Sequence, residues 1–154
     1  MIVGMNYELF MGEALAEARA AAGRGRPAVG AIAVMDEAMV ARGSYRVDDV
    51  DDPTAHPVMT ALREAARRLG TMRLSDLTVF TTLEPCAMCV GALLACDAAA
   101  LVYAAPTPVD GAAGTVLQLA QHASLGRRIQ VVSGIRREEA EDLAGTPTGE
   151  PTGA

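Results

Sequence analysis

The 154-residue chain has no lysine and no tryptophan, only two phenylalanines and three tyrosines, two histidines and three cysteines. Aromatics at 3% leave few platforms on which single-stranded nucleic acid could stack. No apolar run reaches the roughly 18 residues that read as a membrane span, and the opening MIVGMNYELF lacks the basic stretch of a secretory signal. These absences predict a soluble, cytoplasmic protein with no membrane partner. Basic residues are outnumbered, 13 against 19 acidic, for a net charge of -6. That sign opposes a phosphate backbone, so nucleic acid is not expected as a partner. The odd set Cys86, Cys89 and Cys96 makes a poor disulfide framework and points to metal or buried thiols.

What is present is apolar periodicity, at 51% hydrophobic residues, enough for one domain with a full core. Leu9, Phe10, Ala14, Leu15 and Ala18 recur at helical spacing within Met5 to Ala22, and Gly23 and Pro27 follow as terminators. Val29 to Met35 and Met39 to Ala41 read as a hairpin, followed by an acidic loop from Ser44 to Pro53. Thr54 to Leu69 reads as a helix capped by Thr54 and ended by Gly70. Further strands are predicted near Leu77 to Thr81, Leu101 to Ala104 and Ile129 to Val132, and helices over Cys86 to Cys96, Val116 to His122 and Arg137 to Leu143. The alternation predicts a three-layer α/β/α domain over residues 1–145, with residues 146–154 as a disordered tail.

The chemistry concentrates in Pro85-Cys86-Ala87-Met88-Cys89, between a strand and a helix start. There thiolates gain from unpaired backbone N–H groups and the positive helix end. A zinc site of the reactive kind needs three protein ligands and an open position. His56, at the start of the preceding helix, completes the set His56, Cys86 and Cys89, in the chain order of the zinc-deaminase signature H-x-E…P-C-x-x-C.

The segments Asp52 to His56 with Ala61 to Ala66, Thr82 to Cys89 with Gly91 and Ala92, Gly111 to Gly114 and Val131 to Gly134 resemble the cytidine deaminase superfamily. They lie nearest its bacterial tRNA adenosine deaminase branch. The resemblance covers about residues 5–145 and implies a five-stranded mixed sheet flanked by helices, a Zn2+ ion at two helix starts, and a homodimer.

Three departures stand out. The family's proton-shuttling Glu of H-x-E is replaced by Val58, and no carboxylate takes its place in the motif. Tyr45 follows Gly43 where the branch carries an Asn that contacts the nucleoside, and the C-terminal helix is acidic instead of basic. Glu84, two residues before a ligand, is a candidate proton carrier, although the resemblance gives it the task of ordering the metal loop. Tyr45, Val58 and Asp110 are the candidate substrate contacts; Asp51 and Asp52 are candidate substitute bases by loop closure, although Asp52 before Pro53 also reads as a turn residue. Together these predict a zinc-dependent protein acting on a small amidine-like or heteroaromatic metabolite. The alternative is a non-catalytic subunit that pairs with a Glu-bearing paralogue as a heterodimer.

Overall fold

Extended, β-branched and small residues alternate across two faces of five strands: β1 (Gly30–Met35), β2 (Ala38–Ser44), β3 (Thr78–Leu83), β4 (Ala100–Ala105) and β5 (Gln130–Ser133). The computed structural model describes residues 4–145 and 152–154. The sheet runs in the order β2-β1-β3-β4-β5. Strand β1 is antiparallel to β2 and β3, while β4 is parallel to β3 and β5. The helices are α1 (Tyr7–Gly23), α2 (Val47–Val50), α3 (Pro57–Leu69), α4 (Ala87–Ala95) and α5 (Arg137–Ala144).

The two-residue period of the strands sends successive side chains to opposite layers. In β1, Ile32 and Val34 pack with Phe10, Met11 and Leu15 of α1, and Ala140 of α5 joins that cluster. Ala31 and Ala33 face the other way, against Val58, Ala61 and Ala65 of α3 and Val90 and Leu93 of α4. The result is the α/β/α arrangement with a five-stranded mixed sheet, and alanine supplies much of the contact between layers.

The element ends show where local rules compete. Helix α3 starts at Pro57 with His56 as its N-cap, two residues later than the expected cap at Thr54. Proline at the first helical position presets φ and has no N–H to waste. Thr54 is engaged elsewhere: its N–H and hydroxyl both donate to Asp52 Oδ1, at 2.9 and 2.7 Å. The expected helix over Val116 to His122 does not form. Its amides are taken up by the preceding loop, with Val116 and Leu117 donating to Gly111 O and Leu119 donating to Ala112 O. Only a 3₁₀ turn, Ala123–Leu125, is helical there. The acidic loop after β2 contains the single turn α2, and the β1–β2 turn places Asp36 and Glu37 at φ of 52° and 61°, the left-handed conformation that a tight hairpin turn requires.

Gly43 in β2 determines how close α3 can lie to the sheet. A Cβ at this position would fall 2.0 Å from Pro57 O and 2.8 Å from Ala61 N, both main-chain atoms of α3 that cannot move without moving the helix. Because α3 carries His56 at its start, the contact also positions the first residue of the candidate site. Gly43→Ala is expected to cost about 1–3 kcal/mol by overpacking, measured by urea denaturation, with a parallel loss of bound metal in the surviving folded protein.

Candidate metal centre

The carboxyl ends of the parallel strands are where an open α/β sheet places its ligands, and the chain leaves β3 there through Glu84-Pro85-Cys86. Cys86 is the N-cap of α4 and His56 the N-cap of α3, and neither side chain is spent on capping its own helix. Cys89 lies one turn into α4 and is fully buried. Two helix starts therefore converge with their side chains free.

His56 Nδ1 stands 3.6 Å from Cys86 Sγ and 3.7 Å from Cys89 Sγ, and the two sulfurs are 3.7 Å apart. A tetrahedral ion with sulfur at about 2.3 Å and imidazole nitrogen at about 2.0–2.1 Å spaces its ligands about 3.6–3.8 Å from each other. The three side chains fit that spacing, and soft thiolate plus imidazole is a donor set suited to zinc. The Cys86 thiol is pushed down to about 4 by its hydrogen bond with Cys89, against the opposing effect of burial, with His56 adding to the shift. The Cys89 thiol is pushed up by the same bond and by burial. His56 is drawn toward its charged form by the hydrogen bond with Cys86. The trio thus favours a thiolate at Cys86, and both helix ends point positive partial charge at it.

The other residues singled out from the sequence fall into distinct places. Tyr45 lies over His56, with ring centroids 6.4 Å apart and planes inclined by 23°. Val58, in the first turn of α3, is fully buried in the cluster that contains Cys89. Glu84 is fully buried and its carboxylate is saturated: Oε1 accepts from Thr107 N–H at 3.3 Å and from the Thr115 hydroxyl, and Oε2 accepts from the N–H groups of Ala113 and Thr115 at 2.9 and 3.1 Å. It staples the loop between β4 and β5 to the end of β3. Asp110, on that loop, is half-buried; its Oδ1 is enclosed without a hydrogen-bond partner. Burial and then the charge of Cys86 raise its carboxyl, with His56 pulling the other way, which puts it within the field of the centre. Asp52 is held by Thr54 and lies 3.4 Å from an Arg63 nitrogen, and Asp51 is exposed. His122 is exposed and caps the 3₁₀ turn, and Cys96 packs against the core away from the trio.

One participant had no signal in the sequence. Of the expected tail, residues 146–151 lie outside the described residues, whereas Gly153 and Ala154 are buried at the centre. Ala154 O accepts from Cys86 N–H at 3.2 Å and lies 3.1 Å from His56 Nδ1 and 3.8 Å from Cys89 Sγ. Nothing in a Gly-Thr-Pro-rich terminus with so few apolar groups signals such a contact.

Comparison with known proteins agrees with this geometry. The family model described as "Cytidine and deoxycytidylate deaminase zinc-binding region" matches residues 5–105. The tRNA-specific adenosine deaminase of Bacillus subtilis is 36% identical over 132 residues, covering 86% of this chain and 82% of that protein. The guanine deaminase of the same organism is 43% identical over 103 residues, 66% of this chain and 65% of the relative. The chloroplastic tRNA(adenine(34)) deaminase of Arabidopsis thaliana is 44% identical over 112 residues, but the chain spans only 9% of its length. A solved structure from a study of A-to-I editing by tRNA:A34 deaminases superposes with a TM-score of 0.84 at 32% identity, covering 88% of this chain and 98% of that one.

Two outcomes are expected. His56→Ala and Cys86→Ala each reduce zinc, measured by elemental analysis of the purified protein, from about one ion per chain to a small fraction of that. Glu84→Gln leaves buried N–H donors facing an amide and lowers stability by about 1–3 kcal/mol in urea titrations, while its zinc content stays near that of the native chain.

Proposed function

This chain belongs to the cytidine and deoxycytidylate deaminase family, and on that premise we propose that it is a zinc-dependent hydrolase that removes an exocyclic amine from a purine. Adenosine within a tRNA is the first substrate to consider and a free aminopurine the second. The observation that carries this is the tetrahedral spacing of His56 Nδ1, Cys86 Sγ and Cys89 Sγ beneath the ring of Tyr45. Tyr45 offers a planar face against which a purine can stack.

The relatives favour a purine because they are named for adenosine in tRNA and for guanine. The small amidine-like or heteroaromatic metabolite expected from the sequence yields first place to tRNA, and the exclusion of nucleic acid drawn from net charge gives way. A groove of about 590 Å3 along the edge strand β2 is lined by Arg42, Arg46, Arg63, Arg67 and Arg68, with Asp52 and Glu64 among them. These arginines are paired with surface carboxylates, as in Arg42 with Glu13 and Glu17 and Arg67 with Glu64. Exposed pairs of this kind are worth so little that phosphates can replace the carboxylates. We include in the proposal the homodimer that the resemblance implies.

Hydrolysis adds a water oxygen to the ring carbon and releases ammonia, so one proton must leave the water and one must reach the departing nitrogen. Zinc held by His56, Cys86 and Cys89 would supply a hydroxide by lowering the pKa of water to about 7. Val58 cannot carry a proton, and the Glu84 carboxylate is fully engaged in holding its loop. We assign the proton traffic to Asp110, whose buried Oδ1 has no other partner. General acid–base help of this kind is worth roughly 10²- to 10⁴-fold.

Val58 also supports a second function, a non-catalytic subunit that pairs with a Glu-bearing paralogue. The test uses zinc-loaded protein with an adenosine-bearing tRNA anticodon stem-loop, and with guanine, while ammonia release is followed. Native turnover that is lost in Asp110→Asn and raised by about 10²-fold or more in Val58→Glu bears out the enzyme. Inactivity of the native chain and of Val58→Glu on both substrates overturns it, and co-purification with a Glu-bearing paralogue then identifies the subunit.

A further inference from the structure

The trio leaves one corner of its tetrahedron for a non-protein ligand, and a main-chain atom of this same chain stands beside the trio. Ala154 O lies 3.1 Å from His56 Nδ1 and 3.8 Å from Cys89 Sγ, close to the spacing of the three ligand atoms among themselves. The amide at the start of α4, Cys86 N–H, holds it there at 3.2 Å. The residue before it packs against Tyr45. Gly153 lies so near Tyr45 that a Cβ would meet its ring carbons at 2.6 and 2.7 Å, and its φ of +77° is one that other residues rarely adopt. Ala154 itself is 1% exposed and packs with Leu83 and Ala105 at the ends of β3 and β4.

We propose that Thr152–Ala154 is a built-in occupant of the metal cleft. Ala154 O takes the open corner and Gly153 takes the surface of Tyr45, so substrate enters only when the segment leaves. This inference rests on the cleft being the substrate site proposed above. The occupant is held by a few polar contacts, and the enclosed Thr152 hydroxyl has no hydrogen-bond partner, so part of its burial is unfavourable. A segment poised in this way is readily displaced. A planar aminopurine that stacks on Tyr45 competes for both positions at once, and the segment acts as a competitive inhibitor carried on the same chain.

The experiment compares three proteins: the full chain, a chain ended at Pro151, and the full-length Gly153→Val variant, which pushes a side chain into Tyr45. Thermal unfolding and circular dichroism establish that each is folded. The first measurement is the rate at which iodoacetamide alkylates Cys86 in protein treated with chelator, at one fixed pH. Removing or expelling the segment is expected to raise that rate about tenfold or more, as local protection is lost. The second is the visible spectrum of the cobalt-substituted proteins, in which loss of an oxygen ligand from the segment shifts the d–d bands. Equal alkylation rates and identical cobalt spectra for the full chain and the chain ended at Pro151 overturn the proposal. Turnover assays separate it from the functional proposal. Faster alkylation without deamination supports the occupant and counts against the deaminase, whereas deamination by a chain ended at Pro151 that alkylates no faster counts against the occupant alone.

Discussion

Two helix starts must meet at the end of one strand for this protein to have a site at all. His56 and Cys86 are the residues at which α3 and α4 begin, and their side chains are free because neither caps its helix. The convergence rests on the approach of α3 to the sheet at Gly43, where main-chain atoms of helix and strand leave no room for a Cβ. Once the two ends are brought together, helix dipoles stabilise negative charge on Cys86 Sγ. The Cys86 thiol is depressed by its hydrogen bond with Cys89, against burial, with His56, brought beside it by the same packing, adding to the shift.

Glu84 shows how a carboxylate close to such a centre can be committed to architecture. It is fully buried, yet its oxygens satisfy three backbone amides and a hydroxyl of the β4–β5 connection. Burying it is tolerable only because every lone-pair direction that matters is answered. That connection would otherwise be a long unsupported segment, and it is also the one that carries Asp110. The two acids beside the centre therefore differ in kind: one has spent its hydrogen-bonding capacity, and the other retains a buried oxygen without a partner.

Much of this was legible in the residues themselves. The Pro-Cys-x-x-Cys spacing, a single upstream His and strand-helix alternation point to the metal trio and to the layered sheet because ligand geometry and side-chain periods are written locally. Val58 is equally visible, as an apolar residue where a proton carrier is expected. The misplaced features are those decided by competition between distant groups. The amides of Val116, Leu117 and Leu119 go to the Gly111–Ala112 loop instead of to a helix, which no local propensity encodes. Thr54 was a sound cap by type but had already been claimed by Asp52. The contact of Ala154 with Cys86 joins positions far apart in the chain and rests on main-chain atoms, which leave no trace in side-chain pattern.

With so few aromatic side chains, the interior is filled by drawing backbones together. Alanines at positions 31, 33, 61 and 65 line the boundary between sheet and helix α3, where bulkier chains would hold the layers apart. A thin interlayer of methyl groups has little slack: each site already approaches the smallest volume that still excludes water. Diversification of this domain is therefore steered outward, to loops and termini such as the segment at the metal cleft. There, new lengths and chemistries can be tried without reopening the seam between helix and sheet.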